Sequence, residues 1–112
     1  MDFDVDTDGD VTVVSFNVKS LDAGNSKNFK TDISPLLEEN NKFVFAMDSL
    51  TFVDSSGCGV MLSCLRKLNS TDGDVKLSGV NGPVHTLFEL IRLHKIFEIY
   101  NTRDEAVKAY QL

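Results

Sequence analysis

The chain has 112 residues, 42% of them hydrophobic and 25% charged, with a net charge of −6. That is the composition of one folded domain built around a single core rather than of a disordered segment. The negative balance argues against nucleic acid and anionic membrane surfaces as partners. No apolar run reaches the ~20 residues that span a bilayer, so direct membrane insertion is not expected.

In chain order, Phe3 and Val5 alternate with acids, the pattern of a short half-exposed strand. Asp8-Gly9 is a hairpin signal, and residues 11–18, rich in β-branched side chains, read as a second strand. A polar break covers residues 19–26. Phe29, Ile33, Leu36 and Leu37 then make one helical stripe. Pro35 inside it predicts a kink, or a second segment with Ser34 as N-cap and Pro35 as first helical residue. Residues 43–47 are apolar without alternation, as in a central strand covered on both faces.

From Gly57 to Asn69, the residues Cys58, Met61, Leu62, Leu65 and Leu68 mark a second amphipathic helix. Asp72-Gly73 ends that unit, and residues 75–77 form a short strand. Gly82-Pro83 opens a third helix, with Val84, Leu87, Phe88 and Ile91 on its buried side. Residues 96–100 are a last strand, and Thr102 with Glu105 reads as a capping box before a short helix through Tyr110. The order β-β-α-β-α-β-α-β-α predicts an α/β fold, one domain over residues 1–112, with a mostly parallel sheet and right-handed crossovers.

The opening MDFDVDTDGD is acidic and lacks the basic and apolar regions of a signal peptide, so a cytoplasmic location is expected. Cys58 and Cys64 lie six apart on a predicted helix, which separates their Cα atoms by roughly 9 Å. Disulfides rarely exceed ~7 Å, so the two cysteines read as core residues. Their spacing makes no zinc signature either. Asp4, Asp6, Asp8 and Gly9 fit four positions of a calcium loop, but Ser15 stands where a bidentate glutamate is required. An acidic edge strand and hairpin turn explain the segment better. Neither metal nor cofactor is expected.

The central stretch Phe52-Val53-Asp54-Ser55-Ser56-Gly57-Cys58-Gly59-Val60 leads from a strand into a helix. Asp and Ser are preferred N-caps, because their side-chain oxygens accept the unpaired N–H groups of the first turn. A nucleophile elbow would need glycine two residues before the serine, and Val53 and Asp54 stand there instead. His85 and His94 are the only candidate bases, and neither has an obvious orienting acid beside it, so no enzyme is expected. A phosphate cradle would need the Walker lysine or the dinucleotide-loop spacing, and both are missing. The remaining sharp reading is covalent modification of Ser55 or Ser56. A phosphoserine carries about −1.5 to −2 charge, and a helix N-terminus stabilises it.

The same stretch resembles the aromatic-x-Asp-Ser-(Ser/Thr)-Gly-Leu-Gly-(Val/Ile) motif of STAS domains, and within them the bacterial anti-sigma factor antagonists, with Cys58 replacing the usual leucine. Ser20-Leu21-Asp22 stands where the family commonly has Glu-Leu-Asp, and Lys19 where it has glycine. Residues 83–90 and 93–97 are similar to the family's third-helix pattern and the segment after it. The resemblance covers essentially the whole chain. It implies a mixed, mostly parallel sheet of about five strands with about four helices mainly on one face.

The resemblance also implies that Ser55 is the phosphorylated residue, with Ser56 the less favoured acceptor. It implies a partner-binding surface made by Ser20, Leu21, Asp22, Asp54, Ser56, Gly57, Cys58 and Gly59, with Asp22 and Asp54 flanking the acceptor. The implied partners are an anti-sigma factor serine kinase, which the unphosphorylated antagonist binds to free a sigma factor, and a PP2C-type phosphatase that resets it. Such domains also act as unphosphorylated scaffolds in stress-sensing complexes or as small subunits of ABC-type lipid transporters. A response-regulator receiver, the rival of similar size, needs an acidic pair after its first parallel strand. Residues 13–17 supply none.

Overall fold

The computed structural model describes residues 1–111. Strands β1 (Phe3–Asp8) and β2 (Val11–Phe16) form an antiparallel hairpin that turns at Gly9, whose φ of +62° glycine adopts without strain. A two-residue strand, β3 (Ser20–Leu21), precedes helix α1 (Ser26–Glu39) and strand β4 (Lys42–Ala46). Strand β5 (Phe52–Val53) runs directly into helix α2 (Ser55–Asn69), followed by strand β6 (Asp74–Ser78) and helix α3 (Gly82–Leu90). A 3₁₀ turn (Leu93–Lys95), strand β7 (Ile99–Tyr100) and helix α4 (Arg103–Ala109) complete the order.

The main sheet has five strands in the order β1-β2-β4-β6-β7, parallel except for the β1–β2 pair. The expected mixed, mostly parallel sheet with four helices is therefore the observed architecture. Among the described residues no helix is long and apolar enough to cross a membrane.

Alternation along the central strands sorts side chains onto two unequal faces. Phe16, Phe43, Phe45, Val75 and Leu77 pack under α1, α2 and α3. Val11, Val13, Val44 and Ala46 pack on the other face, against Ala106 and Val107 of α4. Large aromatics thus fill the thick layer, where Phe29 of α1 meets Phe16 and Phe45 at ring-centroid separations of 5.1 and 5.9 Å. Small residues suit the face that one short helix covers.

That thinner face is closed by polar contacts. The Tyr110 hydroxyl lies 2.7 Å from the Phe43 carbonyl and 2.9 Å from that of Asp74, bridging β4 and β6. Lys76 is buried beneath the same ring, 4.6 Å from its centroid, and pairs with Glu98 at 2.6 Å and Asp74 at 3.3 Å. Burial works against the ammonium charge there, but the hydrogen bonds it donates to Glu98 and Asp74 prevail and hold the Lys76 pKa above its ordinary value. Tyr110→Phe keeps the packing and removes the bridge. It is expected to lower stability by about 1 kcal/mol, read as a lower urea midpoint at unchanged slope.

Several elements differ from expectation. The polar break over residues 19–26 contains β3, which pairs in parallel with β5 as a separate ladder, Ser20 opposite Phe52 and Leu21 opposite Val53. A two-residue strand has no periodicity to detect. Of the two outcomes expected at Pro35, the new start at Ser34 is not observed: helix α1 runs through as one element. The Thr31 and Ser34 hydroxyls instead donate back to the carbonyls of Lys27 and Lys30. Ile91 is exposed rather than buried, because α3 ends at Leu90 and Arg92 turns the chain in a left-handed conformation with φ of 64°. The last strand shrinks to Ile99–Tyr100, residues 96 and 97 forming a turn and bend after the 3₁₀ turn.

Candidate functional site

The Asp-Ser-Ser-Gly run forms the entrance to α2, and each residue has a separate local task. Asp54 is the N-cap: its backbone is extended and its carboxylate accepts from the Gly57 N–H at 2.9 Å. The other carboxylate oxygen accepts from the Ala23 N–H at 3.0 Å, tying the β3–α1 loop to the helix. The Gly57 N–H, helped by that of Ala23, holds the Asp54 carboxyl below the usual carboxylate range, so it is ionised at neutral pH. Because Asp54 supplies the cap, Ser55 and Ser56 have no capping duty. Both are exposed in the first turn.

Gly57 is required by close approach. A Cβ there would collide with the Leu21 carbonyl oxygen and stand 2.8 Å from Val53 Cγ1. The short β3–β5 ladder therefore presses its backbone directly onto the first turn of α2. Gly59 faces open space, where a Cβ would meet nothing within 4 Å.

The neighbouring loop is held by its own polar net. Asp22 accepts from the Ser20 hydroxyl and the Gly24 N–H, both at 2.8 Å. Asn25 accepts from the Asp22 N–H at 2.9 Å and donates to the Ser20 carbonyl at 2.8 Å. The Lys19 carbonyl accepts from the Thr51 and Phe52 N–H groups, which fixes β5 beside this loop.

The sequence-derived surface residues thus divide. Ser56 and Gly59 are exposed, and Ser20, Asp22 and Asp54 are half-buried. Leu21, Gly57 and Cys58 are buried, so their part in any contact is to shape the backbone rather than to present a side chain. Cys64 is buried in the same helix, and both cysteines are free. Burial pushes the Cys58 thiol up, aided by the Asp54 charge, and pushes the Cys64 thiol up to about 12. Both are protonated at neutral pH and serve packing.

Among the described residues, neither histidine has a hydrogen bond to Ser55; their partners lie elsewhere. His85 does have an acid beside it, contrary to expectation: its Nδ1 is 3.0 Å from Glu89 Oε1, one turn along α3. His94 Nδ1 is 3.5 Å from the Phe88 carbonyl. The acidic N-terminal segment is a strand rather than a calcium loop, with Asp6 paired to Arg103 at 2.7 Å.

One feature of the site has no signal in the motif. A groove of about 390 Å³ opens beside Ser55, walled by Phe52, Val53 and Cys58 on one side and Pro83, Val84, Leu87 and Ile91 on the other. Asn81 sets its width, donating to the Asp48 and Leu50 carbonyls at 3.0 and 2.8 Å and so tying the start of α3 to the chain leading into β5. Phe52, the large aromatic that opens β5, is 55% exposed on its rim.

The STAS domain family model matches residues 2–106. The chain belongs to the STAS domain family. An anti-sigma F factor antagonist from Paenibacillus polymyxa is 38% identical over 64 residues, which is 57% of this chain and 55% of that protein. This STAS domain thus spans about half the length of that relative. A Thermotoga maritima protein, provisionally assigned as an anti-sigma factor antagonist, superposes with a TM-score of 0.91 at 26% identity, over 98% of this chain and 95% of the other. The phosphorylated form of the Bacillus cell fate determinant SpoIIAA shares the fold, with a TM-score of 0.73 at 20% identity over 97% and 99% of the two chains.

Proposed function

We propose that this STAS domain is a phosphorylation-switched binding module of the cytoplasm. Unphosphorylated, it docks on an anti-sigma factor with serine kinase activity and thereby frees a sigma factor. The kinase then transfers the γ-phosphoryl group of ATP to Ser55 Oγ, whose proton leaves to a base on the kinase, and ADP departs. The dianion ends the contact, and a PP2C-type phosphatase restores the hydroxyl. The chain is a substrate and ligand in this scheme and performs no catalysis itself.

The observation that carries this reading is the exposed Ser55 hydroxyl in the first turn of α2, freed from capping by Asp54. A phosphate there lies at the positive end of the helix, so the fold tolerates it. It also lies next to an ionised Asp54, so local charge changes sharply while the backbone stays in place. The likeness to an anti-sigma F factor antagonist favours this role over the scaffold or transporter-subunit readings.

Mass spectrometry after incubation with the anti-sigma kinase and ATP tests it. One phosphoryl group on Ser55 is expected, and none on Ser55→Ala. Label on Ser56 alone would overturn the assignment.

A further inference from the structure

We propose that the groove between β5 and α3 is where the kinase anchors, and that its occupant is an uncharged, large apolar side chain of that kinase. The inference rests on Ser55 being the acceptor, and it adds where the affinity resides and how the phosphate cancels it.

Three observations lead there. First, Ser55 itself lines the groove. A kinase that reaches Ser55 Oγ must lay its surface over this rim, so the groove is continuous with that contact. Second, the walls are apolar and two of their large members face solvent: Phe52 is 55% exposed and Ile91 47%. Apolar side chains left in water around a concavity mark a surface that a partner covers. Leu90, next to Ile91, is 77% exposed and extends the apolar surface beyond the groove.

Third, charge selects the occupant. Asp54 is the only charged residue among those lining the groove. Its two oxygens already accept from Gly57 and Ala23. A basic side chain in the groove would be held more tightly once Ser55 carried a dianion, and phosphorylation would then strengthen the complex. An acidic one would be repelled by Asp54 before any phosphorylation. Only an uncharged apolar insert is accepted before the transfer and expelled after it, because covering a phosphate with apolar atoms strips its water and returns no hydrogen bond.

The test uses the unphosphorylated full chain and the anti-sigma factor kinase, with affinity read by isothermal titration calorimetry. Phe52→Gln and Ile91→Gln should each weaken binding tenfold or more and together nearly abolish it. Melting temperatures should stay within a degree or two, since both side chains face solvent. Phe52→Glu and Phe52→Lys should weaken it alike. Wild-type affinity in both glutamine variants would sink the groove as the anchor while leaving the Ser55 switch standing. A Phe52→Glu variant that binds better than Phe52→Lys would mean a basic occupant and would overturn the inference. A wild-type chain that neither binds the kinase nor takes label would bring down the switch itself, and the groove assignment with it.

Discussion

Gly57→Ala is expected to destabilise the domain by about 3 kcal/mol, near the upper end for overpacking a well-filled interior, with a fall of roughly 10 °C in Tm. The new methyl meets a backbone carbonyl, that of Leu21, which cannot rotate away as a side chain would. Relief requires β3 to move off α2, and that breaks two further things. The β3–β5 ladder loses its register, and the Ala23 N–H leaves the Asp54 carboxylate. Gly59→Ala, two residues on in the same helix, provides the control. It meets nothing, and alanine's helix propensity should make it neutral or more stable by about 0.5–1 kcal/mol. Thermal unfolding of the pair separates close approach from helix propensity. Equal Tm values would show that β3 does not press on α2 as described.

Ser55→Asp is expected to weaken binding to the kinase partner roughly hundredfold, about 2.7 kcal/mol, while leaving the melting temperature unchanged or slightly raised. A carboxylate in the first turn interacts favourably with the helix N-terminus, so the fold does not object. Binding does, because the charge must be covered against an apolar wall next to an ionised Asp54. Placing like charges together, or burying one without a partner, costs several kcal/mol at an interface. One carboxylate charge is smaller than that of a phosphate, so the true phosphoprotein should bind more weakly still. Ser55→Ala should bind within a few-fold of wild type, because Asp54 and not Ser55 caps the helix. Calorimetric titration of the three proteins against the kinase reads the result. An aspartate variant that binds as well as wild type would remove charge as the basis of the switch.

The Asp54-Ser55 pair shows what local sequence can carry. A capping carboxylate, a hydroxyl after it and an apolar stripe behind it all act within one helical turn, so their meaning is fixed by spacing along the chain. The same holds for Thr102, whose hydroxyl accepts from the Glu105 N–H as the capping pattern implies. The apolar run over residues 43–47 is equally legible, since a strand covered on both faces must be apolar at every position. What escaped notice was of another kind. The second partner of the Asp54 carboxylate is Ala23, thirty-one residues earlier, and the residue that makes Gly57 obligatory is Leu21.

By itself, then, the sequence determined the α/β order, the central strand and a capped helix entrance, with Asp54 and the two serines all left open as the cap. Each follows from periodicity or from contacts within about four residues. Tertiary structure alone decided that β3 and β5 pair, that Gly57 has no room for a methyl, and that α3 stands across from Phe52 to make a groove beside Ser55. These depend on segments tens of residues apart meeting at one end of the sheet, and such meetings leave no periodic trace in either segment.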